Sequence, residues 1–408
     1  MEKNILPIKK AALVFFVFAC GYFLSCLLRA ITATLSPVLT TEFNLLAGDL
    51  GLLAGGYFLG FASMQIPLGY LLDKHGPKKI VSSFLLIAIV GTASFALAQS
   101  FAGLLISRIL IGVGVSACLM GPLTGYRIWF ADEYQQRGNS WMLMIASTGF
   151  VFSTLPVQIL LPIFGWRWVF GGITILIFIV IILILLFIPS WKNETDNNNE
   201  KNFGSLSDIW KNKFFRSTIP LGLFNYGGMI AIQTLWAGPW MVRVAGYNPL
   251  ESATGLFWIN TTMLIAFFVW GYILPKITKF GLETMKLMKF GLPISYLFLL
   301  VIIISGENAG AIHFTIYILT SIVLTLTQPA IALSFPASLA GKSLTSFNLL
   351  IFLGTFIMQW GIGLVIDMCR FLGKGEIQSF QISFFIYLLI CIFSYLYFIF
   401  NNKNLKNE

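Results

Sequence analysis

The sequence predicts an all-α integral membrane protein with twelve membrane-spanning helices in two six-helix halves. Composition is the first reason. Of 408 residues, 57% are apolar and 10% are charged, whereas a soluble domain carries about 25% charged residues. Water cannot solvate such a chain, so the bulk of it belongs in lipid. The second reason is twelve apolar runs, at 11–39, 49–72, 80–98, 101–130, 139–162, 168–189, 214–243, 251–274, 286–305, 310–334, 342–367 and 380–400. About 20 apolar residues in a helix cross the hydrocarbon core. Helices are the open-chain solution, because each span must satisfy its own backbone in lipid.

The third reason is how the basic residues are distributed. With both termini inside, 19 of the 26 Lys and Arg residues fall in inner segments. They are Lys3, Lys9, Lys10, Lys74, Lys78, Lys79, Arg137, Lys192, Lys201, Lys211, Lys213, Arg216, Lys276, Lys279, Lys286, Lys289, Lys342, Lys403 and Lys406. Outer segments hold Arg167, Arg243, Arg370 and Lys374, and Arg29, Arg108 and Arg127 lie within spans. The positive-inside rule then places both termini in the cytoplasm. A formal charge of +10 suggests nucleic acid, but the basic residues are spread among loops and form no patch, so no nucleic-acid partner is expected. Lys9-Lys10 before an apolar run looks like a signal peptide. The run continues past Leu28 without a small-x-small site, so an uncleaved first span is expected.

The longest inner loop, Ser190–Lys213, is centred on Asn193-Glu-Thr-Asp-Asn-Asn-Asn-Glu-Lys-Asn, a polar sequence that folds poorly. It divides the chain into a six-helix half at 1–189, a cytoplasmic linker at 190–213 and a second half at 214–408. The sequon at Asn193 has no access to glycosylation on that side. A weak internal repeat supports the division. Pro37 corresponds to Pro239 and Gly69-Tyr-Leu-Leu to Gly271-Tyr-Ile-Leu, both offset by 202 residues, as in transporters built from parallel repeats.

Residues that could carry chemistry are few. The acids lie in loops or at span ends, with Asp49 and Asp367 at outer ends and Asp73 at an inner end. A carboxylate in mid-span, the usual proton carrier, is missing. Arg29 lies about 15 Å and Arg108 about 10–12 Å below the outer boundary at 1.5 Å per residue. An arginine within a span costs roughly 2.5–3.5 kcal/mol to insert, so it faces a wet cavity or a partner. The two either form an anion-binding pair, or Arg108 braces helices through backbone carbonyls and Arg29 snorkels outward. Arg127, near the inner end of its span, is expected to snorkel.

Gln233, Asn260 and Gln359 fall about 12–15 Å below the outer boundary, the level of the arginines, and Asn225 is a fourth amide within a span. They are candidate substrate contacts, or they hydrogen-bond between helices for about 0.6 kcal/mol each. His313 is a candidate proton relay or a rim residue. The five cysteines have no metal-ligand spacing and read as small apolar residues. With two histidines, no acid pair within a span, no metal cluster and no phosphate loop, neither an enzyme nor a cofactor is expected.

The turn between the second and third spans is Gly69-Tyr-Leu-Leu-Asp73-Lys-His-Gly76-Pro-Lys78-Lys79. Read on its own, Gly69 allows close helix approach, Gly76 supplies the turn, and Lys78 and Lys79 follow the positive-inside rule. The pattern G-x-x-x-D-x-x-G-x-[KR]-[KR] closely resembles the signature loop between helices 2 and 3 of the major facilitator superfamily. That resemblance implies a twelve-helix fold and transport by alternating access. It also implies that Asp73 meets the start of span 11 when the inner side is closed, where a carboxylate favours a helix N-terminus.

Arg108-Ile-Leu-Ile-Gly112-Val-Gly114 resembles the superfamily's span 4 pattern. Leu28-Arg29-Ala30, Leu35-Ser36-Pro37 and Gln65-Ile-Pro67-Leu-Gly69 look like the anion:cation symporter branch. That branch places acids where this chain has Leu28 and Val115 or Ser116, so the cationic site is kept and the proton carrier is not. The span 1 arginine also resembles the organophosphate:phosphate antiporters, whose second arginine in span 7 is replaced here by Gln233. Span 5, with Gly149 and Pro156, lacks the glycine–proline cluster of drug and proton antiporters.

The expectation is a monomeric transporter in a bacterial inner membrane, taking up a small, anionic solute. The alternatives are an exporter of amphipathic compounds, suggested by 15% aromatic residues, and a non-transporting membrane receptor or enzyme subunit.

Overall fold

The computed structural model describes residues 5–190, 206–279 and 284–402. The linker centre with Lys192, Asn193 and Lys201, Gly281, and the terminal lysines Lys3, Lys403 and Lys406 lie outside the described residues. Each of the twelve apolar runs is helical, and no strand occurs among the described residues.

The first part of the chain forms α1 (Ile8–Phe43), α2 (Ala47–Ser63), α3 (Gln65–Leu97), α4 (Phe101–Val115), α5 (Ala117–Trp129), α6 (Asp132–Phe152) and α7 (Leu155–Phe187). After it come α8 (Leu206–Lys211), α9 (Lys213–Pro220), α10 (Gly227–Ala231), α11 (Ala237–Arg243), α12 (Pro249–Lys279), α13 (Thr284–Ser305), α14 (Ala311–Thr320), α15 (Thr327–Leu333), α16 (Ala337–Phe371) and α17 (Glu376–Asn402).

Nine helices among the described residues are long and apolar enough to cross a membrane. Twelve runs become nine for identifiable reasons. The second run is shared between α2 and the start of α3. The fifth and sixth join as Met144–Phe187. The seventh is assembled from α9, α10 and α11 with two wide π-helical turns, Leu221–Tyr226 and Ile232–Trp236, between them.

Two glycines make the turns inside α3 and α7. Gly76 has φ 78°, ψ 161° and Gly165 has φ 74°, ψ 159°, a region essentially closed to residues with a Cβ. Pro77 follows Gly76 at the first position of the next helical stretch, where its missing N–H costs nothing. Gly76→Ala and Gly165→Ala are each expected to cost about 1–3 kcal/mol, read as a lowered melting temperature of the purified protein. An unchanged melting temperature would contradict this account of the turns.

By contact the chain separates into two compact units, Met1–Ile31 with Gly56–Asn199, and Thr32–Gly55 with Glu200–Glu408. In the first unit α3 packs on α4, α5 and α7. The α3–α4 approach is so close that a Cβ on Gly114 would stand 2.2 Å from the Ala88 nitrogen. On the far side, Ile163, Phe164, Ile175, Phe178 and Leu186 stay exposed, an apolar face suited to lipid. In the second unit α16 packs on α10, α15 and α17, and α13 packs on α14 and α17. Its core is aromatic, with the Trp240 ring 4.6 Å from Phe384 and edge-on to Phe314 and Phe380 at 6.1 Å. The last turns of α1 and the first turns of α2 belong to this second unit.

Candidate functional site

The guanidinium carbons of both arginines of the first unit lie within 5.9 Å of the centre of one tyrosine ring, that of Tyr57. Gly112, four residues after Arg108, is on the same face of α4. A Cβ there would stand 2.0 Å from the Tyr57 carbonyl oxygen, and one on Gly60 would stand 2.2 Å from the Ile109 oxygen. The α2 and α4 backbones therefore touch, and this contact sets the Tyr57 ring 5.4 Å from the Arg108 guanidinium carbon. The Arg29 guanidinium carbon is 5.0 Å from the centre of Phe61 and 5.9 Å from both Tyr57 and Phe150. Three ring faces thus surround it, an arrangement worth about 0.5–2 kcal/mol per favourable pair. The Tyr57 hydroxyl donates to the Ser25 carbonyl at 3.0 Å, which fixes the ring against α1.

Arg108 is fully buried, and its Nη1 donates to the Leu28 carbonyl at 2.9 Å. Its Nε and Nη2 have no hydrogen-bond partner. The bond to Leu28 is the helix-bracing contact the sequence allowed for, yet it uses one nitrogen of three. Arg29 is also buried, at 9% exposure, so it does not snorkel into solvent; Arg127 is exposed.

The amides of the second unit divide into two groups. Gln233 Nε2 donates to Asn260 Oδ1 at 2.9 Å, and Gln359 Nε2 to Thr234 Oγ1 at 3.0 Å. The Trp236 indole donates to the Gln359 carbonyl at 3.1 Å. These three amides are brought together along the second π-helical turn. The buried Gln359 Oε1 has no partner. Asn225 is held elsewhere. It accepts from the Tyr296 hydroxyl at 2.6 Å and donates to Ser394 at 2.5 Å, so it ties the first π-helical turn to α13 and α17.

The gating residues of the α3 turn are placed as follows. Asp73 and Lys79 are exposed and Lys78 is half-buried. At Gly69 nothing lies within 4 Å of the position a Cβ would occupy. His313 is half-buried near the start of α14, its Nδ1 without a partner.

The aromatic surround of Arg29 was missed on the sequence. The signal available was Gly55-Gly56-Tyr57-Phe-Leu-Gly60-Phe61, where small residues and an i, i+4 aromatic pair share one helix.

A helical chain with repeated apolar spans and buried cations defines a multi-pass membrane protein. Comparison with known families is specific. Residues 18–359 match the sequence profile of the Major Facilitator Superfamily, and the chain belongs to that family, one of transporters rather than enzymes. A relative named "Probable sulfoacetate transporter SauU" from Cupriavidus necator is 22% identical, over 59% of this chain and 59% of its own. A relative named "Niacin transporter NiaP" from Acinetobacter baylyi is 28% identical, over 58% of this chain and 61% of its own. The chain thus spans less than two thirds of these relatives. A crystal structure of a bacterial homologue of the human lysosomal transporter Spinster, described as inward-facing and unoccupied, has a TM-score of 0.82 at 16% identity and covers 99% of both chains. The Escherichia coli fucose:proton symporter FucP gives 0.64, also at 16% identity, over 95% of this chain and 98% of its own.

Proposed function

We propose that this protein carries a small organic anion inward across a bacterial cytoplasmic membrane by alternating access. It works as a monomer with cytoplasmic termini, and the halves 1–189 and 214–408 are the bodies of the cycle. The observation that carries the reading is Arg108. Its buried side chain has two nitrogens without partners, and each unmade bond costs about 1–3 kcal/mol. A carboxylate, sulfonate or phosphate oxygen is the group that satisfies them. The buried Arg29 beside it supplies the second positive charge. Relatives named for sulfoacetate and niacin, both organic acids, support an anionic solute. With no acid in mid-span, the cycle runs as uniport, exchange, or cotransport of a proton on the solute itself.

A second reading, export of amphipathic compounds, is favoured by an apolar cavity of about 380 Å³ in the first unit. Phe16, Cys20, Phe23, Thr148 and Leu183 are among its lining residues, and neither arginine is.

One experiment separates these readings. The purified protein is melted with sulfoacetate, nicotinate, the neutral amide nicotinamide, or a lipophilic dye. A ligand at a hundredfold excess over its Kd stabilises by about 2.7 kcal/mol. An acid is expected to raise the melting temperature where nicotinamide does not. Arg29→Gln should weaken that acid about tenfold or more, since a charged hydrogen bond is worth about 1.5–3 kcal/mol. Unchanged affinity in Arg29→Gln sinks the anion reading, and stabilisation by the dye alone transfers the case to export. Counterflow of the stabilising solute in proteoliposomes distinguishes a carrier from a receptor.

A further inference from the structure

We infer that Asp367 is a release catch between α2 and α16 at the end of the molecule expected to face outward. The first N–H groups of a helix have no partner within it. At the start of α2 the Ala47 and Gly48 N–H groups donate to the two carboxylate oxygens of Asp367, at 3.0 and 2.6 Å. The cap is thus supplied by a residue about 320 positions away on another helix, while the helix's own acid, Asp49, takes only the Leu46 N–H. All of these residues lie within the second unit.

Asp367 is itself held from behind. Arg370 Nη1 is 3.2 Å from it, the rest of the Arg370 guanidinium binds Glu376, and Arg243 Nη1 is 3.5 Å from Glu376. If α2 leaves, Asp367 keeps its counter-charge. Among the described residues it surrenders the two N–H bonds and the attraction of an anion for a helix N-terminus.

The surface beneath the cap is built to part. A Cβ on Gly51 would stand 2.2 Å from the Gln359 carbonyl, one on Gly55 2.9 Å from the Phe356 ring, and one on Gly363 2.3 Å from the Ala47 carbonyl. At Gly51 and Gly363 the seam is therefore backbone against backbone, while at Gly55 the Phe356 ring lies against it. A cavity of about 50 Å³, lined by Thr40, Leu50, Trp236, Arg243 and Arg370 among others, already indents its rim. That is room for about one water molecule. The Gln359 carbonyl under Gly51 also takes the Trp236 indole bond, so the seam passes the amide cluster. A pure brace explains the cap but not a glycine-lined seam with a polar indentation at its edge.

The test is cysteine labelling in a full-length chain whose five native cysteines are replaced by serine. One reporter is Leu50→Cys, 4% exposed at the seam, and the control is Ile111→Cys, 0% exposed in the first unit. A membrane-impermeant maleimide is applied to reconstituted protein without added solute. Asp367→Ala is expected to speed labelling at the seam about tenfold and leave the control unchanged, with Asp367→Asn between. Gly51→Ala, which forces the seam apart without touching the cap, is expected to act in the same direction. Equal labelling rates in parent and variants, or parallel increases at both reporters, overturn the catch and leave Asp367 as a brace. The readout needs no solute, so it stands or falls independently of the anion assignment.

Discussion

Arg108→Met is expected to leave the protein as stable as the parent or more so, while abolishing stabilisation by an organic anion. The two signs follow from one feature. Arg108 is fully buried with one hydrogen bond, to the Leu28 carbonyl, and two nitrogens without partners. Removing an uncompensated buried charge removes its desolvation cost, and replacing buried ionic groups by apolar ones of similar volume is often neutral or stabilising by 1–4 kcal/mol. Methionine is unbranched and adaptable enough to fill the stem's space. The bond lost at Leu28 is worth about 1.5–3 kcal/mol at most, and the backbone oxygen it leaves can retain its helical partner. A melting temperature at or above that of the parent, with no response to the acid that stabilises the parent, is the expected pair of results. A brace behaves oppositely, so a variant several degrees less stable that still binds the acid refutes the assignment. Arg108→Lys belongs in the same series. It keeps the charge but loses the planar fork, and should weaken binding about tenfold without restoring the parent's selectivity.

Which parts of this were legible in the sequence depended on whether the signal was length or direction. The twelve apolar runs were readable because a span's length is imposed by the bilayer, and all are helical here. The turn at Gly76 was readable because glycine, proline and lysines interrupt the apolar sequence. The matching turn at Gly165 falls in the gap at 163–167 between the fifth and sixth runs, which Arg167 marks as an outer segment although Phe164, Trp166 and Trp168 around it are as apolar as a span. Counting residues gave only an expected depth, the same for Arg29, Arg108, Gln233, Asn260 and Gln359. Azimuth was not readable. A helix that is apolar all round carries no stripe to show which way it faces, so Asn225 could not be told from Gln233. The π-helical turns at Leu221–Tyr226 and Ile232–Trp236 alter the phase between these two amides. The Asp367 cap joins residues 319 and 320 positions apart, a separation at which no local pattern helps.

Gly112→Ala and Gly114→Ala are expected to be the most damaging small substitutions in the first unit, while Gly171→Ala in α7 improves it. The difference is contact, not propensity. All three sit inside helices, where alanine is intrinsically better than glycine by about 0.5–1 kcal/mol. At Gly171 nothing lies within 4 Å of a new Cβ, so that gain should be realised. At Gly112 the new methyl would be 2.0 Å from the Tyr57 carbonyl oxygen, and at Gly114 2.2 Å from the Ala88 nitrogen. Both obstacles are backbone, which cannot swing aside as a side chain would, so whole helices must separate. Overpacking of this kind costs about 1–3 kcal/mol and more where backbone must move. The two glycines face different neighbours, α2 and α3, so the paired variant should show nearly additive losses. They also differ in function. Separating α2 from α4 moves Tyr57 off Arg108, so Gly112→Ala should lose acid binding at temperatures where it is still folded. Gly114→Ala should keep its affinity until it melts. Equal binding losses at matched stability would show that Tyr57 has no part in setting the arginine, and a Gly112→Ala protein as stable as the parent would refute the close α2–α4 contact itself.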